Sequence, residues 1–378
     1  MPLIPEAGGT ERITSLVAKG LNGRGHTCMG MLVFNEHDGS MSYNGQTVTD
    51  LYAFLKANGV DIVINQIAYA TWLLDAFLRN GGDKWKQEGG KIISCLHFDP
   101  KPASSLYYLT HKRKKNLRDY VNIAKAFMLY GFYEARQRKN TGRIFNWIYD
   151  NSDWFVALSP THFPYIKRVT AREDYDRLLA INNPLTFDDV AGKSILDEKK
   201  KVVLVCSRMD EYQKRISLVL KAWRKIQKAP VANDWTLKIL GTGPDLERYM
   251  DYARDHGLKN VIFEGRQSPE AYYREADIFL MTSTGIEGWG LTLTESLQRG
   301  VVPVVMNTCS VYSDIITHGY NGFLSKGSGL DGFVQYVMAL MRDEDLLRAI
   351  QLNALDSAKR FTLERTMEKW DQCLASHH

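Results

Sequence analysis

Long apolar runs are missing from this sequence: nothing approaches the ~20 consecutive apolar residues that a bilayer-spanning helix needs. Cysteine is scarce as well. The 378 residues hold five (Cys28, Cys95, Cys206, Cys309 and Cys373), odd in number, scattered, and never spaced as CxxC. That argues against a disulfide framework or a zinc ribbon and for reduced thiols packed as small hydrophobes. No His/Cys cluster has metal-ligand spacing. The first residues, MPLIPEAGGTER, lack the basic-then-apolar plan of a secretory signal. With 44% hydrophobic and 24% charged residues, disorder and collagen-like structure are excluded too. The expectation is a cytoplasmic enzyme without metal or other cofactor. Its length exceeds one ordinary core, so two domains are expected.

Charge is uneven along the chain. Residues 1–185 hold 23 Lys+Arg against 17 Asp+Glu. Within 101–143 alone there are 11 basic residues and two acidic ones, Asp119 and Glu134. Such a local excess suits an anionic partner: nucleic acid, a phosphorylated substrate or an acidic membrane face. A solvated helix face would show the same composition.

Short apolar runs alternate with amphipathic stretches. In the first half, strands are expected at Cys28–Phe34, Asp61–Asn65, Lys91–His97 and Trp154–Leu158, with helices at Glu11–Leu21, Thr71–Arg79 and from about Ser104 to Arg138. In the second half the runs are 202–207, 235–241, 260–265, 277–283 and 301–306, each followed by a helical segment. Strict alternation implies βαβ units and parallel sheets, whose strands are apolar on both faces. LLAINNPLTFDD (178–189) reads as a linker because of its Asn-Pro break. The fold class is therefore α/β, with two doubly wound domains joined near residue 184. Ligands of such sheets bind beyond the carboxyl ends of the strands, so a cleft between the domains is the expected site. Only seven residues precede the loop GGTER (8–12), whereas a doubly wound domain feeds such a loop from a full strand. A shortened first strand or an upstream start is expected.

The most informative segment is STGIEGWGLTLTESLQRGVVPVV (283–305). It passes through Gly285, Gly288 and Gly290 and enters a helix near Leu291. Glycines permit close backbone approach, and a helix N-terminus favours phosphate. Glu287 and Glu295 bracket the turn. Their spacing alone means little, since about one such pair arises by chance in a chain this long. The context carries the signal: a carboxylate on the loop and another one turn into the helix can both face one ligand, and a carboxylate accepting two hydrogen bonds suits a vicinal diol. CSRMDEYQKR (206–215) follows the strand VVLVC and puts Arg208 and Lys214 at its carboxyl end. Two cations there would neutralise a diphosphate leaving group.

The stretch from Glu287 to Glu295 resembles the E-x7-E signature of glycosyltransferase family 4, retaining sugar-nucleotide transferases of the GT-B fold. GGTER, with Gly9, resembles that family's first glycine loop. SRMDEYQK (207–214) resembles its Arg…Lys diphosphate clamp, GTGPD (241–245) its next glycine turn, and 264–283 its nucleotide-base loop and following strand. The likeness implies a GT-B protein of two Rossmann-like domains with an interdomain cleft. Residues 1–184, with a crossover helix at about 361–375, would bind the acceptor, and 185–360 the nucleotide sugar. It implies that Arg208 and Lys214 hold the diphosphate while the amides of Gly290, Leu291 and Thr292 cap it. Glu295 would bind the ribose, Glu287 the donor sugar near the reaction centre, and Arg266 would lie beside the base. Gly9, Gly241, Gly288 and Trp289 would line the donor, and His97 the sugar.

The implied activity is a retaining, metal-independent hexosyl transfer from a UDP- or GDP-sugar. The acceptor would be a glycan or a lipid-linked hydroxyl compound in cell-surface polysaccharide or lipopolysaccharide assembly. The partner set then includes an anionic membrane surface and no nucleic acid, with the protein peripheral at the inner face of the membrane. Two features depart from the family. NTCSVYSDI (307–315) lacks the usual glycine-containing turn and shifts the acidic residue to Asp314, and 100–150 matches no family signature. Asp174-Tyr175-Asp176 spells a D-x-D, but in a polar, helix-like stretch away from any strand end, and is read as solvated surface. An epimerase or phosphorylase on the same plan, or a non-catalytic nucleotide-sugar-binding subunit, stays open.

Overall fold

The computed structural model describes residues 8–33, 40–101, 117–285, 287–326 and 329–375. The chain divides into two compact units, Met1–Pro100 with Gly131–Pro184 and Leu363–His378, and Lys101–Tyr130 with Leu185–Thr362.

The first unit has a parallel sheet of β4 (Ile62–Asn65), β5 (Lys91–Leu96), β6 (Trp154–Ala157) and β7 (Leu178–Ala180), adjacent in that order. Apolar β5 and β6 are buried, with Leu96, Phe155 and Ala157 packed against Phe145, Ile148 and Ile166. A second, antiparallel sheet departs from the expected strict alternation: β1 (Met31–Val33), β2 (Met41–Tyr43) and β3 (Gln46–Val48) pair in sequence. Asn44 and Gly45 turn β2 into β3 with φ of 50° and 80°, the positive pair that a two-residue hairpin turn requires. The helix Leu363–Ala375 packs within this unit. Its Met367 fills the space left by Gly20, where an added Cβ would lie 2.4 Å from the Met367 sulfur. Arg24 donates to Asp371 and Glu364 at 2.8 and 3.0 Å.

Three further expectations need correction. Leu178–Ala180, taken as the start of a linker, is a strand paired with β6; three apolar residues are too few to reveal it. The single helix expected over 104–138 is instead Leu117–Met128 followed by Tyr130–Asn151, and its expected start lies outside the described residues. Asp174 and Asp176 lie on an exposed loop leading directly into β7, not on a helix, and Asp174 accepts a hydrogen bond from Tyr149 at 3.2 Å. Ala171, at φ 48°, ends the preceding helix Phe163–Thr170.

The second unit carries the site. Its six strands are β8 (Val202–Cys206), β9 (Thr236–Leu240), β10 (Val261–Gly265), β11 (Ala276–Met281), β12 (Val302–Asn307) and β13 (Phe323–Lys326). All pair parallel, in the order β10-β9-β8-β11-β12-β13. Val203, Val205, Leu237, Ile278 and Val304 pack with Trp223 and Phe333 into one buried core, each fully buried aliphatic side chain contributing roughly 1.5–3 kcal/mol. The chain fills the sheet outward from β8 in one direction, then returns to β11 and continues in the other. Between β8 and β11 the order therefore reverses, and the loops leaving their carboxyl ends diverge. In open parallel sheets that reversal point is where ligands bind.

Candidate active site

The β8 loop leaves the sheet at Ser207. Arg208 is exposed there and donates to Asp210 at 2.9 Å and Gln213 at 2.5 Å. Arg215 enters the helix Ile216–Ile226 with φ 48°. Its buried guanidinium donates to the carbonyls of Thr282 and Ser283, at 2.8 and 3.0 Å, on the loop that leaves β11. In return the Thr282 hydroxyl donates to the Lys214 carbonyl at 2.8 Å, and the Thr284 amide to that of Gln213 at 2.8 Å. The two loops are thus stitched together across the strand-order reversal, and Lys214 is held facing the β11 loop.

On that second loop, Gly285 is required by space: an added Cβ would lie 2.7 Å from the Thr308 carbonyl oxygen. The Cys309 thiol donates to the Glu287 carbonyl oxygen at 3.2 Å. Lys214 Nζ pairs directly with Glu287 Oε1, and the two side chains are 21% and 19% exposed, so the pair is screened from bulk water yet open to a ligand. Gly290, at φ 88°, then turns the chain into the helix Leu291–Gln298. The first N–H groups of that helix, including those of Leu291 and Thr292, have no intrahelical partners by geometry, and the helix dipole favours an anion there.

The remaining residues singled out from sequence fall elsewhere. Glu295 lies on the helix Leu291–Gln298. It is 3% exposed, and its Oε1 accepts from the Thr186 hydroxyl at 2.7 Å. Trp289 is buried, with its ring edge-on to Phe361 at 5.4 Å and its Nε1 without a hydrogen-bond partner. Gly288 lies between Glu287 and Trp289 on the loop. Gly241 follows β9 at φ 124°, where an added Cβ would lie 1.9 Å from the Ser207 carbonyl oxygen, so only glycine fits against the β8 loop there. Arg266 is on the exposed turn after β10, at the outer edge of the sheet.

Gly9 and His97 belong to the first unit. Gly9 opens the helix Gly9–Asn22. His97 follows β5, and its Nε2 lies 2.5 Å from Gln66 Oε1. Burial lowers its pKa to about 4, so the ring is neutral near pH 7 and offers hydrogen bonds, not a proton-relay cation. Sequence reasoning missed Arg215 and Tyr312. Nothing in SRMDEYQKR separates a buried arginine that fastens two loops from an exposed one. Tyr312 stands in NTCSVYSDI among mostly polar residues, where no pattern marks it as fully buried.

Residues 187–356 match the family model described as glycosyl transferases group 1. That stretch is a little under half of the chain and lies within the second unit. Among similar proteins is the poly(glycerol-phosphate) alpha-glucosyltransferase of Bacillus subtilis, 27% identical over 192 residues, which are 50% of this chain and 27% of that protein. Another is the lipopolysaccharide 1,6-galactosyltransferase of Salmonella typhimurium, 25% identical over 236 residues, 56% of this chain and 63% of that one. The chain therefore spans less than two thirds of the length of either. A crystal structure of Anabaena HepE in complex with UDP and glucose superposes with a TM-score of 0.65 at 16% identity, over 98% of this chain and 96% of that chain. The fold is GT-B.

Proposed function

We propose that this protein transfers a hexose from a nucleotide diphosphate donor to a hydroxyl acceptor, with retention and without a metal ion. The observation that carries this reading is the Lys214–Glu287 pair at the strand-order reversal, with Arg208 on the same loop. Arg208 and Lys214 would stabilise charge on the leaving diphosphate, assisted by the amides at the start of Leu291–Gln298. Glu287 would accept hydrogen bonds from donor-sugar hydroxyls. The leaving phosphate would take the acceptor proton on the same face of the sugar, with neutral His97 hydrogen-bonding a sugar oxygen. Glu295 to the ribose and Arg266 to the base complete the assignment. The HepE complex supports UDP over GDP, and relatives named for glucosyl and galactosyl transfer support a hexose.

The test is nucleotide release from a panel of UDP- and GDP-hexoses, with and without glycan acceptors. Release is expected with a UDP-hexose and should persist in EDTA. Strict dependence on added Mg²⁺ or Mn²⁺ would refute the metal-free mechanism. Nucleotide binding with no turnover on any donor would favour the non-catalytic subunit.

The acceptor is proposed to be a glycan or lipid-linked compound met at an anionic membrane surface. The helix Leu117–Met128 supports this. Leu117, Tyr120, Val121, Phe127 and Met128 share one face, and all are exposed, Leu117 at 82% and Met128 at 85%. Asp119 and Ala126 lie buried on the opposite face, and Arg118 and Lys125, one above the other at i and i+7, edge the apolar stripe. An outward apolar face with a basic border suits an interfacial helix. The basic run HKRKK (111–115) precedes it in sequence and lies outside the described residues. No helix among the described residues is long and apolar enough to cross a membrane. The protein should float with liposomes containing acidic lipid at low salt and lose them at ~0.5 M salt as charges are screened. Equal flotation by a variant with Lys112, Arg113, Lys114 and Lys115 changed to Gln would remove the electrostatic part of this reading.

A further inference from the structure

The Lys214–Glu287 pair joins two groups that the proposed reaction needs apart. A diphosphate would draw the ammonium away, and Glu287 would then be a half-buried carboxylate without its cation. Tyr312 lies against this same loop. It opens the short helix Tyr312–Ile315 after β12. An added Cβ on Gly290 would lie 3.7 Å from Cε1 of its ring, and Cys309, three residues earlier, holds the Glu287 carbonyl. The side chain is fully buried, yet its hydroxyl has no hydrogen-bond partner. Thr308, nearby, spends its own proton on the Ser283 carbonyl at 2.7 Å, and only a loose contact joins its hydroxyl to the phenol. A buried hydroxyl without a partner is costly and uncommon in native structures. Burial, then the charge of Glu287, raises the phenol's pKa well above 10, so it remains a neutral O–H donor in the field of that carboxylate.

We propose that Tyr312 is a positioning residue that takes Glu287 over from Lys214 when nucleotide binding draws the lysine onto the diphosphate. The orphan hydroxyl then donates to the carboxylate and keeps it aimed at the donor sugar. In the ligand-free protein the lysine holds Glu287 and the phenol waits unpaired. The inference rests on the transferase reading above. It also gives a physical role to the segment 307–315, where the family resemblance breaks down.

Tyr312→Phe keeps the ring and removes only the hydroxyl. Because that hydroxyl is unpaired without ligand, the variant's Tm should equal or exceed that of wild type. Its kcat should fall about tenfold with KM within about twofold, because the hydroxyl aims Glu287 and does not itself touch the donor. An unchanged kcat overturns the proposal. A second readout does not depend on turnover. With tyrosine labelled by ¹³C at Cζ, the Tyr312 signal is identified by its loss in Tyr312→Phe. It should shift when UDP saturates wild type, and should already be shifted in Lys214→Met with no nucleotide present. A signal unmoved in both cases overturns the hand-over. If wild type releases nucleotide from no donor, the transferase reading fails, while the Lys214→Met comparison still decides whether the phenol can capture Glu287.

Discussion

Lys214→Ala is expected to lower turnover by at least about 10²-fold, the scale for losing one preorganised electrostatic stabiliser. Glu287→Ala should cost as much. The structure sharpens this expectation, because the two side chains hold each other. Removing either leaves a partly buried charge without its partner, which by itself destabilises the loop. Each variant must therefore be compared with wild type by thermal unfolding as well as by initial rate. Glu287→Gln keeps the shape and separates the charge from the packing. If the pair serves only to fasten the β8 and β11 loops, the double variant should recover stability and activity together. If the residues act on the donor, the double variant recovers stability alone. Glu295→Gln should weaken donor affinity more than turnover, since a ribose contact is alike in ground and transition states. Near-normal rates in both Lys214→Ala and Glu287→Ala would sink the assignment of the site.

What the sequence made legible follows from burial. β8 to β12 were visible to within a residue or two because a buried parallel strand is apolar on both faces, and nothing else in a charged surface looks like VVLVC or DIFLM. The antiparallel sheet was not visible. Gln46–Val48 is partly polar and exposed, and three-residue strands carry too little pattern, although Asn44-Gly45 is the dipeptide that a tight hairpin favours. β7 was lost in the same way. At the site, spacing could place Arg208, Lys214 and Glu287 on loops after strands. It could not reveal that Lys214 and Glu287, 73 residues apart, meet because β8 and β11 are neighbours. Strand order is a property of the whole sheet. Nor could spacing reveal that the Thr186 hydroxyl donates to Glu295, which depends on where the segment after residue 185 is laid down.

Gly241→Ala should be the most damaging single methyl group in the second unit that can be placed beside the site. Two costs add. At φ 124° an alanine leaves its allowed regions, and a left-handed backbone already costs a non-glycine residue roughly 1–2 kcal/mol. The new Cβ would also fall 1.9 Å from the Ser207 carbonyl oxygen and 3.2 Å from Met209 Cε. The first of these is backbone and cannot swing aside, so the loop carrying Arg208 must shift, at a further cost of about 1–3 kcal/mol. Together these lower Tm by roughly 5–15 °C for a unit of this size. Gly257→Ala is the control. It too has a positive φ, 57°, but an added Cβ there meets nothing within 4 Å, so only the conformational cost applies. The displacement of Ser207 predicts a second effect that the control lacks: weaker UDP binding by Gly241→Ala at temperatures where it is still folded, read by calorimetric titration. Equal Tm losses in the two variants, or unaltered UDP affinity in folded Gly241→Ala, would show that the β9 turn does not set the position of the Arg208 loop.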